Sequence, residues 1–204
     1  MALPVTSQIQ IGSTSITEFT ELTISQSLFG HHHFSVGIPY DRVEGTRGVF
    51  LSKAHRLLCG QRITVLITTA PAITSSGQAA KPAGEFEFQG IVTQLNVGNH
   101  GSDLTGSLEV QGYSPTYLLD QAPMRRTFRN KTLAAIFQEV LKPYSDGLLP
   151  LQAKPQHTAP IAYVAQYDES AFTFLHRLAA QYGEWFYYDG TRLQLGRPAR
   201  NFPL

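Results

Sequence analysis

The sequence predicts an α+β, β-rich chain in two parts: a small, strongly curved β-barrel over residues 1–113 and an α+β module over 114–198, with helices packed on a small sheet. Three observations lead there. The first half holds several β-branched, alternating stretches separated by Gly and Pro, with a single helical pattern among them. The second half holds two apolar stripes on a 3.6-residue period, and directly after the second comes an aromatic run beside a turn signal. Residues 199–204 are expected to begin a linker or to form a truncated end.

In the first half, Ile9 to Ile11, Leu22 to Leu28 and Phe34 to Ile38 read as strands, with Phe29-Gly30 breaking the second from the third. Phe50, Leu51, Ala54, Leu57 and Leu58 are spaced as one face of a short helix that Gly60 ends. Arg62 to Thr69, RITVLITT, has the β-branched richness of a buried strand. Ala70 to Gly84 loses all periodicity to Pro, Ser, Gly and Ala and reads as a loop. Glu85 to Val97 alternates well, with Gly90 expected to be a bulge; Gly98 to Gly101 is a turn, and Leu104 to Tyr113 returns as the partner strand.

Ser114-Pro115 opens a helical turn over Thr116 to Leu119, with Ser114 as its cap. Asn130 or Thr132 caps a helix whose Leu133, Ile136, Phe137, Val140 and Leu141 form one stripe, closed by Pro143. Ser145 to Pro160 is turn-rich and predicts no regular element. After a strand beginning near Tyr163, Ser170 caps a helix that starts at Ala171. Its stripe is Phe172, Leu175, Leu178, Ala179 and Tyr182, with His176, Arg177 and Gln181 facing elsewhere, and Gly183 is its left-handed stop. Asp168 and Glu169 stand at the positive end of the helix dipole. Trp185 to Tyr188 and Arg192 to Leu195 then form a hairpin about a two-residue Asp189-Gly190 turn.

Composition narrows the function classes. The chain has 204 residues, a formal net charge of +1, 42% hydrophobic and 15% charged residues. A net charge so near zero argues against a nucleic-acid partner, because no excess of cations exists to neutralise phosphates. A charged fraction below the roughly 25% of ordinary domains points to protein partners covering part of the surface. The single cysteine, Cys59, cannot form an internal disulfide and reads as a small hydrophobe. MALPVTSQIQIG has neither charged leader nor apolar block, so no secretory signal is expected, and no run approaches the ~20 apolar residues of a membrane helix.

No catalytic, cofactor-binding or metal-binding residue is assigned. In a strand, His31 and His33 share one face and His32 the other, so the three cannot converge on one ion. GYSPT around Ser114 has proline where a nucleophile turn needs a free chain, and no phosphate-binding glycine loop is present. Asp168 and Glu169 are adjacent residues at a helix start rather than an acid–base pair. Arg125, Arg126, Arg129 and Lys131 make a local basic cluster, read as a solvated face or a contact for an acidic neighbour.

GYSPTYLLD, FRNKTLAAIFQEVL and YDESAFTFLHRLAAQYGEWFYY, in this order and spacing, resemble the VgrG spike proteins of type VI secretion, whose first portion is similar to the hub protein of contractile phage tails. HHHFSV, CGQRITVLI and FEFQGIVTQL extend the resemblance over nearly the whole chain. Its most specific part is Tyr167, Glu169, Ser170, Phe172, Leu175 and Arg177, a structural element in that family. The resemblance implies a non-enzymatic structural hub: a homotrimer in the full-length context, seated on the Hcp-type tube hexamer, in contact with other spike or baseplate proteins and carrying an effector. It implies assembly in the bacterial cytoplasm and export within a contractile apparatus without a signal peptide. The alternatives are the same fold as the baseplate hub of a phage tail or other injection system, and, lower, a hydrolase or ligand-binding module on a similar fold.

Overall fold

The computed structural model describes residues 5–39, 55–69, 84–98, 107–144 and 147–198. It is β-rich α+β, and its elements fall into two compact units. The first contains the strands from Val5 to Tyr113, save that Gln26–His31 belongs with the second, which otherwise begins at Ser114.

The first unit is one antiparallel sheet of seven strands: β1 (Val5–Ile11), β2 (Thr14–Ile16), β3 (Glu21–Ser25), β4 (His33–Pro39), β5 (Arg62–Thr69), β6 (Glu85–Gly98) and β7 (Ser107–Tyr113). Their order is β2-β1-β5-β6-β7-β4-β3. The period-2 pattern sends Ile9, Ile11, Phe34, Val36, Ile38, Ile63, Val65, Phe88, Val92, Leu108 and Val110 to one face, where they are buried together with Leu58 as a single cluster. The sheet's own inner face thus supplies nearly all of this core. Its edge strands, β2 and β3, share no ladder among the described residues, although only residues 17–20 separate them in the chain.

Three expectations change here. Gly90 is not a bulge: it pairs regularly with Ile63, and the register of β6 shifts between Val92 and Gln94. Glycine stands at 90 and 112 because the Phe34 ring lies over both, a Cβ at 112 meeting the Ile91 carbonyl oxygen at 2.0 Å and the ring at 2.7 Å. The strand expected through Leu28 ends at Ser25, and Leu28 and Phe29 are exposed. Residues 55–58 are helical and Gly60, with φ +74°, turns the chain out, yet Leu57 is about half exposed while Leu58 is buried. The rest of that helix, the loop over 70–83 and the turn over 99–101 lie outside the described residues. β2, three residues long, is too short to show an alternation in the sequence.

The second unit begins with a 3-10 helix, Pro115–Asp120. β8 (Met124–Lys131) pairs antiparallel with β10 (Ile161–Glu169). α1 (Leu133–Leu141) follows β8, and Thr132 is its cap, accepting the Ala135 N–H at 3.3 Å, while Asn130 takes a left-handed φ of 51°. β9 (Leu151–Lys154) pairs in parallel with β12 (Leu193–Gly196), which pairs antiparallel with β11 (Phe186–Tyr188). Both helices bury their stripes in one core that includes Phe128, Ile136, Phe137, Phe174, Leu178 and Phe186. β8 and β9 had no periodicity to announce them: β8 is dominated by cations, and β9 is four residues in a turn-rich stretch.

α2 spans Ala171–Gln181, with Gly183 at φ +68° after it. The Ser170 Oγ accepts the Thr173 N–H at 3.0 Å, so Ser170→Ala should cost about 1 kcal/mol, measured by chemical denaturation. Its buried residues are Ala171, Phe174, Leu175, Leu178 and Ala179; Phe172 and Tyr182, expected in the core, are only partly buried. The β11–β12 connection has four residues rather than two. The Asp189 carboxylate accepts the backbone N–H groups of Thr191 and Arg192 at 2.8 and 2.9 Å and thereby closes it.

Candidate functional site

The corner between β10 and α2 gathers the polar residues that the sequence singled out. Glu169, directly before the helix cap, is held by an arginine: Arg177, two turns into α2, donates to both of its oxygens, and a second N–H of Arg177 reaches the Ala165 carbonyl at 3.0 Å. Gln166, buried, donates to the Glu169 carbonyl at 2.9 Å. The bond to Glu169 holds the Arg177 guanidinium above its ordinary pKa against a smaller opposing effect of burial. Asp168 takes a left-handed φ of 55° at the bulge that ends β10, and its carboxylate faces Arg125 at 3.5 Å instead of the helix. The acid and the arginine thus cross-link strand to helix.

Ser114 is fully buried and does not cap the 3-10 helix with its side chain; its backbone carbonyl accepts the Tyr117 N–H. Its hydroxyl lies 2.7 Å from that of Thr116, which lies 2.9 Å from His31 Nδ1, and His31 Nε2 is 3.5 Å from Asp120. The order hydroxyl, imidazole, carboxylate resembles a hydrolase relay. The hydroxyls of Ser114 and Thr116 belong to residues at 0 and 1% exposure, however, where no substrate reaches them. The arrangement is a latch that fastens residues 26–31 to the second unit.

The histidine run therefore separates for a reason different from strand alternation. β4 starts only at His33; His31 joins the second unit, while buried His32 stacks near Phe88 and His33 stands against Tyr113 in the first. Among the described residues no three His, Cys, Asp or Glu side chains gather as a metal site. Cys59 packs against the first core, and burial pushes its thiol pKa up.

His31 also starts an aromatic stack: its ring is 4.2 Å from Phe172, Phe172 is 4.3 Å from His176, and His176 is 4.8 Å from Phe186. Phe29, His176, Arg177 and Glu184 join Phe172 and Phe186 around an open groove of about 420 Å³. Burial, with a smaller repulsion from His31, pushes the His176 pKa down to about 4. Burial lowers His31 as well, against the pull of Asp120. An unfolded histidine, near 6.5, binds its proton first, so the stability that neutral His176 contributes is complete above pH 6.5 and lost as the pH falls toward 4. The melting temperature followed by circular dichroism should fall through that window, and His176→Phe should flatten the fall.

On the outward face of β8 and β10, Arg125 lies over the Tyr167 ring at 5.1 Å and Arg129 over the Tyr163 ring at 5.7 Å, in register across the ladder. Tyr163 and Tyr167 are 57 and 71% exposed. The basic cluster is thus strand-borne, with Lys131 paired to Glu139.

A family model described as phage tail baseplate hub (GPD) matches residues 50–198, most of the chain. The chain belongs to the phage tail baseplate hub family. This hub chain is similar in fold to a 43 kDa tail protein of prophage MuSo2 from Shewanella oneidensis (20% identity, TM-score 0.69, covering 96% of this chain and 54% of that one). It is similar also to an E. coli type VI secretion component, described as structurally similar to the T4 tail proteins gp27 and gp5 (14%, 0.59, 96% and 50%). A third likeness is to a chain of the Francisella PdpA–VgrG complex (13%, 0.60, 97% and 32%). The hub chain spans about half the length of the first two and a third of the last. No curated protein sequence matches it. Among its described residues no helix is long and apolar enough to cross a membrane.

Proposed function

We propose that this chain is the first hub portion of a VgrG-like type VI secretion spike, a structural part that works by protein–protein contact and catalyses nothing. The family match over 50–198 carries the hub role, and the fold shared with type VI and VgrG chains is what supports the type VI part of the reading. In this reading the full-length protein is a homotrimer seated on an Hcp-type hexamer. It contacts other spike or baseplate proteins and an effector, assembles in the bacterial cytoplasm and leaves with the apparatus. A second reading, the baseplate hub of a phage tail, is favoured by the prophage tail protein among the similar structures.

Residues 1–113 and 114–198 are taken as its two domains and 199–204 as a linker, and the first domain is taken as a rolled, barrel-like sheet. Six flat inter-strand steps of about 4.8 Å would hold β2 and β3 about 29 Å apart, whereas the link between them reaches about 18 Å at most. A core built from one face of a single sheet supports the same curvature.

Sedimentation of the chain alone, with Hcp-type hexamers and with phage tail-tube rings tests the role. Co-sedimentation with the Hcp rings is the expected result. Binding to the phage rings alone selects the second reading, and indifference to both sinks the hub role.

A further inference from the structure

Charge is divided between the seven-stranded sheet and strand β8 far more sharply than the total of +1 suggests. Strands β1 to β7 carry one cation, Arg62, against Glu21, Glu85, Glu87 and Glu109. All four glutamates point away from the core. Glu85 and Glu87 alternate with inward Phe86 and Phe88, and Glu21 and Glu109 stand in one cross-strand row through Gly37. Most of the rest of that outer face is Gln, Thr, Ser and Asn, including Gln94, Asn96 and Gln111, and one row across it, Arg62, Ile91, Tyr113 and His33, together with Leu66 beside Glu87, is not acidic. β8, in contrast, holds four cations and no acid, while its partner β10 carries Asp168 and Glu169 at one end.

The ribbon that presents those cations has the features of a recognition surface. Arg and Tyr are enriched where proteins meet, and here both tyrosines stand more than half exposed. Each guanidinium already lies against a ring, so less side-chain freedom is lost when it receives a carboxylate. Two outward arginines, one of them facing Asp168, suit carboxylates on a protein better than a run of phosphates.

We infer that the Arg125–Arg129–Tyr163–Tyr167 ribbon binds the acidic outer face of the seven-stranded sheet on a second copy of this chain. The chain itself carries the complementary surface, exposed at Glu85 and Glu87, and no other partner need be invoked. Two different patches meet, so the contact is head-to-tail and builds rings or open arrays rather than closed two-fold dimers. This rests on the assembly role proposed above and gives it a surface.

Sedimentation equilibrium at low and high salt tests it on three samples: wild type, Arg125→Glu/Arg129→Glu, and Glu85→Arg/Glu87→Arg. Wild type should associate with concentration, about tenfold more weakly in high salt where exposed charges are screened. Each variant alone should associate at least about tenfold more weakly than wild type, and an equimolar mixture should regain association, since opposite faces are again paired. Should a charge-reversed variant fail to melt like wild type, Arg125→Gln/Arg129→Gln replaces it, with the same loss expected. A wild type that stays monomeric, variants that associate like wild type, or a mixture that does not recover each overturn the inference. So does ribbon-dependent binding of single-stranded DNA at about 0.15 M salt in place of self-association. Self-association blind to these charges, with tube-ring binding intact, removes the ribbon and leaves the hub role; the converse result removes the hub role alone.

Discussion

Phe174→Ala is expected to lower the stability of the second unit by about 3–5 kcal/mol, the range for deleting a fully buried aromatic ring. Phe174 has no exposed surface and stacks on Phe128 at 5.8 Å with the rings nearly parallel, so the deletion opens a cavity between α2 and β8. Phe172→Ala should cost much less, because Phe172 sits on the groove rim between two histidines and its loss is filled by water. Urea denaturation of both variants checks the pair. Equal losses would mean that the core continues through Phe172.

Gly112→Ala is the second large effect, and it falls on the first unit. Overpacking ordinarily costs about 1–3 kcal/mol, and this site should lie at or beyond the upper end. The added methyl would meet the Ile91 carbonyl oxygen, which belongs to a paired strand and cannot move aside, as well as the Phe34 ring. Gly60→Ala is the informative comparison. Its Cβ would meet nothing within 4 Å, so any loss there reports only the strain of φ +74°. Thermal melts of the two variants should differ widely, and equal melts would refute the packing account of Gly112.

The stripes on the helices and the alternation of β4, β5 and β6 were legible because each element repeats its apolar residue at its own period several times. α2 shows the limit of that signal. Phe172 and Phe174 both fit a stripe with Leu175 and Leu178 within the tolerance of spacing, and only the direction of the neighbouring sheet decides between them. β8 was illegible for another reason: its outward face is arginine and its inward face offers one large apolar residue, Phe128. At the candidate site, Ser170 and Gly183 follow from local backbone chemistry and could be read directly. The Glu169–Arg177 link could have been found by noticing that the two ends of the motif carry opposite charge. The partners of His31 could not, because Thr116 is 85 residues away.

β12, the last strand among the described residues, is the central strand of its sheet, with β11 on one side and β9 on the other. During synthesis, β9 emerges about 40 residues before the neighbour that satisfies its backbone, and the hydrophobic faces of α1 and α2 are already made by then. The second unit therefore cannot finish folding on the ribosome until Gly196 has left the exit tunnel. Until that moment β9 is a free strand edge open to wrong pairing with neighbouring nascent chains.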